Sequence, residues 1–136
     1  MSASLNKFNC FVADVANHVH NLSSDQLKVA LTNTVPVATN TLLANITEVS
    51  YTNCSTRNLT TTSSTQSSGL YKLILADLVL TASGSVGPFQ YVVIYNSTAS
   101  GGPLIAWYDY GSSISLAASN TFTIDLDNSN GTIQLT

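Results

Sequence analysis

Apolar positions change their period once along the chain, near residue 25. Before it, Leu5, Phe8, Val12, Val15 and Val19 recur at spacings of three and four. That is the stripe of a helix burying one face. It predicts a short N-terminal helix over residues 4–18, with Phe11 widening the stripe and Ser2 and Ser4 as candidate N-caps. Asp14 and Asn17 fall off the stripe. His and Asn accumulate over residues 17–21, where the helix is expected to end. A helix this short is marginal alone, so it must pack on its own sheet or on a neighbouring subunit.

After Ser23-Ser24-Asp25 the pattern alternates. Leu27, Val29 and Leu31 interleave with Lys28, Ala30 and Thr32, and Pro36 closes the run. This is a half-buried strand. Residues 37–45 read as loop, and Ile46, Glu48 and Tyr51 as a short strand or irregular edge. Residues 52–69 are a polar Ser/Thr stretch that reads either as a long surface loop or as an exposed strand at Thr60–Gln66, since threonine suits strands. Tyr71–Leu75 and Leu78–Ala82 are two strands, or one strand bent at Ala76-Asp77. Gly84–Pro88 is a turn. Phe89–Tyr95 carries apolar residues at both parities, as a central buried strand does. Residues 96–103 form a Gly/Ser hairpin loop before Leu104–Tyr110. Phe122, Ile124 and Leu126 alternate with polar residues, and Asn130-Gly131 signals a hairpin with 132–136 as the return strand. The expected fold is therefore mainly β: one domain, an antiparallel β-sandwich of about eight strands over residues 26–136, with one short N-terminal helix.

Composition narrows the function. Among 136 residues there are four Lys/Arg and seven Asp/Glu, so only 8 % are charged. An average soluble protein has about 25 %. With 44 % hydrophobic residues the chain can fold, and disorder is not expected. Lys7, Lys28, Arg57 and Lys72 are scattered, so no basic patch exists to meet a phosphate backbone and no nucleic-acid partner is expected. No apolar run approaches the ~20 residues that span a bilayer. No basic region followed by an apolar stretch opens the chain, so no signal peptide is expected. Asn-x-Ser/Thr begins at six asparagines, a mild excess that the composition accounts for.

Few residues suggest chemistry. His18 and His20 form His-x-His, two ligands of a metal site or a polar helix exit. Asp125 and Asp127 share a strand face and suggest calcium binding, acid/base work or merely a solvated strand end. Cys10 and Cys54 could form one disulfide, or remain a buried and an exposed thiol. Gly-x-Ser-x-Gly and the phosphate-loop and dinucleotide fingerprints are missing from the sequence, and no nucleophile–base pair stands out. The chain is expected to be non-enzymatic, without a cofactor or metal. The aromatic group Phe89, Tyr91, Tyr95, Trp107, Tyr108 and Tyr110 is dense. Phe89 and Trp107 read as core, whereas Tyr108 and Tyr110 are candidates for an exposed interface or ligand platform.

Several stretches together resemble a family of small tailed-bacteriophage virion proteins. They are Lys7-Phe8-Asn9-Cys10-Phe11-Val12-Ala13-Asp14, Val19-His20-Asn21-Leu22, and Leu27-Lys28-Val29-Ala30-Leu31-Thr32-Asn33-Thr34. Tyr71-Lys72-Leu73, Ser85-Val86-Gly87-Pro88-Phe89 and Trp107-Tyr108-Asp109-Tyr110-Gly111-Ser112-Ser113 continue the likeness over nearly the whole chain. It departs after Tyr51, where Thr52-Asn53-Cys54-Ser55 replaces an expected Gly-rich turn. The family members it is most similar to are head cement, or decoration, proteins. The resemblance implies a homotrimer on the outer capsid surface, made in the host cytoplasm, bridging subunits of the major capsid protein. It implies no active site. The N-terminal helix and the 52–69 segment are the expected contacts, through Phe8, Phe11, Val15, Arg57 and Leu59. The alternative is a tail- or fibre-associated module that binds a host surface glycan through Tyr108 and Tyr110.

Overall fold

A computed structural model describes residues 5–136. The chain runs β1 (Leu5–Lys7), α1 (Cys10–Ala16), β2 (Leu27–Thr32), a 3-10 turn (Leu43–Asn45), β3 (Thr61–Ser67) and β4 (Leu70–Leu75). It continues through β5 (Leu78–Thr81), β6 (Val86–Asn96), β7 (Leu104–Leu116), β8 (Thr121–Ile124) and β9 (Ile133–Leu135). The strands build three antiparallel sheets, ordered β1-β7-β6-β2, β3-β4-β9 and β5-β8. One apolar core draws on all three: Val29 and Leu31, Leu73 and Leu75, Leu80, Val92 and Ile94, Ile124 and Ile133. The architecture is mainly β and sandwich-like, as the alternation predicts.

The four-stranded sheet is covered on both faces. Ala30, Val93, Tyr95 and Leu104 point away from the main core into a second, smaller one, where Phe8 and Ile46 cover them. Phe8 stacks on Trp107 with ring centroids 4.6 Å apart. This second layer is why β2 and β6 are apolar at both parities. Trp107 and Tyr108 face opposite sides, Trp107 to the smaller core and Tyr108 to the larger.

The N-terminus departs from the predicted 4–18 helix. Leu5, Asn6 and Lys7 pair with Tyr108, Trp107 and Ala106, covering an edge of β7 that would otherwise be unpaired. Helix begins only at Cys10, after Asn9, and spans seven residues. The caps expected at Ser2 and Ser4 lie outside the described residues. The helix stops in a Schellman motif: His18 N–H donates to Val15 C=O, Val19 N–H donates to Asp14 C=O at 2.8 Å, and His18 takes φ +64°.

One further expectation is corrected. The 132–136 strand does not return on β8; β9 pairs with β4, and β8 pairs with β5. Gly131 does turn the chain, at φ +90°, but toward Lys72 and Leu73 of β4. Of the two readings of residues 52–69, the strand is the one found: Thr61–Ser67 is β3, hairpinned onto β4.

Candidate functional site

Edge strands β1 and β9 flank a seam in the sandwich, and α1 lies along it. A groove of ≈ 390 Å³ opens there, walled by Val12, Val15 and Ala16 of α1 and floored by Phe11, Ile105 and Ala106. Ile133 and Leu135 close its far side. A second cavity of ≈ 560 Å³ adjoins it and shares Leu5 and Thr132. That one is polar, lined by Tyr108 and by the 125–132 turn with Asp125 and Asp127. Asp127 accepts the Ser129 and Asn130 backbone N–H groups, which hold its carboxyl below the usual carboxylate range. The Thr132 hydroxyl is buried with no hydrogen-bond partner among the described residues.

A buried polar network lies past the helix end. Asn96 donates from Nδ2 to His20 Nδ1 at 3.0 Å and to Asp25 Oδ2 at 2.6 Å, so the His20 proton sits on Nε2. That nitrogen points toward Asp14 Oδ2 at 4.0 Å. Phe11 packs its ring 5.5 Å from the imidazole. Burial holds the His20 pKa below its ordinary 6.5, against the raising pull of Asp14 and Asp25. The unfolded chain therefore takes up this proton more readily than the folded one. The stabilisation is complete above pH 6.5 and drains away as pH falls toward the lowered folded value. A His20→Gln variant removes this titration. The stability gap between wild type and variant, followed by urea unfolding, is expected to narrow steadily from about pH 7 to pH 5. A gap constant over that range refutes the assignment.

No Ser, Thr or Cys side chain among the described residues hydrogen-bonds to His18 or His20. No group of three or more His, Cys, Asp or Glu among them is placed to hold a metal ion. No described helix is long and apolar enough to cross a membrane.

The structure moves most of the sequence-predicted contact residues inward. Phe8, Phe11, Leu59, Tyr108 and Tyr110 are all buried, so within the folded chain they serve packing. Tyr108 and Tyr110 each expose 5 %, too little for a stacking platform; Tyr110 meets Phe122 edge-on at 5.1 Å. Phe11 and the half-buried Val15 are the two of them that line the groove, Phe11 from its buried floor. Arg57 turns inward: Nη1 donates to Val29 C=O at 2.8 Å, and its guanidinium lies 3.6 Å over the Tyr51 ring. Tyr51 in turn donates to Glu48 at 2.7 Å and accepts from the Leu31 N–H.

Cys10 and Cys54 are free thiols in different parts of the fold, not a disulfide. Cys10 Sγ faces the Leu104 and Asn40 carbonyls, whereas Cys54 bridges to Ala82. Burial pushes both thiols up. The 33–42 loop, read in part as loop from the sequence, exposes Val35, Val37 and Leu42. Its interspersed Thr and Asn hide this from any periodicity. Asp125 and Asp127 stand out in the sequence as a strand-face pair and Tyr108 apart from them; the pair lies past the end of β8, in a turn, and the fold brings all three to one cavity. Comparison with known proteins finds no matching family model, no matching curated protein and no matching solved structure.

Proposed function

We propose that this chain is a non-enzymatic structural protein of a phage virion, a cement protein that docks on the outside of the head and bridges major capsid protein subunits as a homotrimer. One observation carries the docking part of this reading. Of the six large hydrophobic side chains exposed among the described residues, five lie on two adjoining segments: Val12 and Val19 at α1, and Val35, Val37 and Leu42 in the 33–42 loop. The segments are tied together, since Asn9 N–H donates to Ala38 C=O at 2.9 Å. A weakly charged surface with clustered exposed valines suits burial against another protein. The phage-head assignment is supported by the sequence resemblance. The helix segment is the one expected; the second segment differs, because residues 53–59 are hydrogen-bonded to β2 and to Thr81–Ser83, whereas Val35 and Val37 stand exposed.

Cryo-electron microscopy of the whole virion tests the assignment. Density for this chain at three-fold or quasi-three-fold points of the capsid exterior is the expected result; density on the tail, or none, overturns it. A Val35→Asp, Val37→Asp double variant is expected to fold with wild-type stability to within about 1 kcal/mol, both positions being more than half exposed. It should lose roughly a hundredfold in particle affinity in cosedimentation. Unchanged affinity removes the loop from the interface.

A further inference from the structure

The polar cavity beside the groove carries acidic groups along one side. Asp125 and Asp127 line it, and Asp125 is exposed and makes no hydrogen bond to a described residue. Tyr108 forms its inner wall. That residue is 95 % buried (5 % exposed), yet its hydroxyl hydrogen-bonds to no described residue. Burial, with the carboxylates of Asp125, Asp127 and Asp77 around it, pushes the phenol up to about 12, so it stays neutral at physiological pH. Asp127 accepts the Ser129 and Asn130 N–H groups on Oδ1 and Asn130 Nδ2 on Oδ2, and Lys72 approaches it from β4, so Asp125 is the carboxylate left open; Asp77 accepts the Leu126 N–H. Leu5 supplies an apolar rim, and the buried Leu126 lies in the wall beneath it. The donor set, two carboxylates with a phenol and no third acidic or imidazole ligand, does not make a metal site.

We propose that this cavity seats the cationic head of an arginine or lysine side chain from a protein partner. The carboxylates of Asp125 and Asp127 meet the charge, the Tyr108 oxygen accepts one N–H, and the aliphatic stem lies on Leu5. Leu5 and Thr132 also line the apolar groove, so a residue beside that cation would enter the groove against Val15 and Ile133. The choice of a protein as the source of the cation rests on the docking role proposed above; the cation itself rests on charge complementarity within the cavity.

The test titrates isotope-labelled protein with N-acetyl-arginine amide, with N-acetyl-glutamine amide as the neutral control, and follows backbone amide shifts. Shifts at Tyr108 and residues 125–132 are expected with the arginine compound only. An Asp125→Asn, Asp127→Asn double variant keeps the turn acceptors and should bind about tenfold more weakly or worse. Tyr108→Phe should weaken binding about threefold with the rest of the spectrum unchanged. Absent shifts, or shifts that survive in the double variant, overturn the inference. So do shifts from methyl glycosides in place of the arginine amide, which would assign the cavity to sugars. Cosedimentation of wild type and double variant with particles separates the two claims. Arginine binding without particle binding removes the docking role and keeps a cation pocket. Equal particle binding by both proteins, without arginine binding, does the reverse.

Discussion

Replacing Phe89 by alanine is expected to cost about 3–5 kcal/mol of stability, the range for deleting a buried aromatic side chain. Phe89 is fully buried on β6, opposite Ile114 of β7. Its ring meets Phe122 edge-on at 5.4 Å, and Phe122 meets Tyr110, so three rings from β6, β7 and β8 share one contact. Removing the first leaves a cavity where two sheets join, and neither neighbour can fill it without leaving the other. The melting temperature should fall by roughly 10–15 °C for a chain of this size. Val79→Ala on half-exposed β5 is the control and should shift stability by less than about 0.5 kcal/mol. Urea unfolding measures both. A Phe89→Ala loss below about 1 kcal/mol would show that the sheets do not pack as described.

Asn96→Ala is expected to cost about 2–4 kcal/mol with almost no change in apolar packing. Asn96 is completely buried at the end of β6. Its Nδ2 serves His20 and Asp25, and its Oδ1 accepts the Thr98 and Ala99 N–H groups at 2.9 and 3.1 Å. Alanine takes this partner from an imidazole nitrogen and two backbone donors together, and leaves Asp25 Oδ2 with the Asn21 N–H alone. Asn96→Asp keeps the volume but sets a carboxylate against Asp25. It should be destabilised at pH 7 and recover part of the loss near pH 4, as one carboxyl takes a proton. Chemical denaturation at the two pH values decides it; a pH-independent Asn96→Asp loss contradicts the contact with Asp25.

The strands of the central sheet were legible in the sequence because period and burial agree there. Leu27–Thr32 is found with the boundaries that alternation implies, and Phe89–Tyr95 lies between two neighbours as its two-faced apolarity requires. The N-terminal stripe misled because its spacing is shared by residues that serve different partners. Leu5 belongs to a strand, Phe8 to the smaller core and Phe11 to the larger, while Val12 is 56 % exposed. Periodicity is a local property and does not say what an element will pack on. For the same reason Asn130-Gly131 marks a turn without marking its strand pair. The cavity beside Tyr108 was illegible as a unit, since β7 and the 125–132 turn meet only through the assembled sheets.

The bonds that hold residues 48–59 against β2 have a consequence for how copies can associate. Along the outer margin of β2, the Leu27, Val29 and Leu31 carbonyls accept from Leu59 N–H, Arg57 Nη1 and Val49 N–H. The Val29 and Leu31 amides donate to the Arg57 carbonyl and the Tyr51 hydroxyl. A margin so fully engaged offers no template for another chain's backbone, and the opposite margin, β1, is three residues long. Backbone pairing of another chain is thereby blocked along the β2 margin of the largest sheet. Another copy that meets this margin would have to do so through side chains.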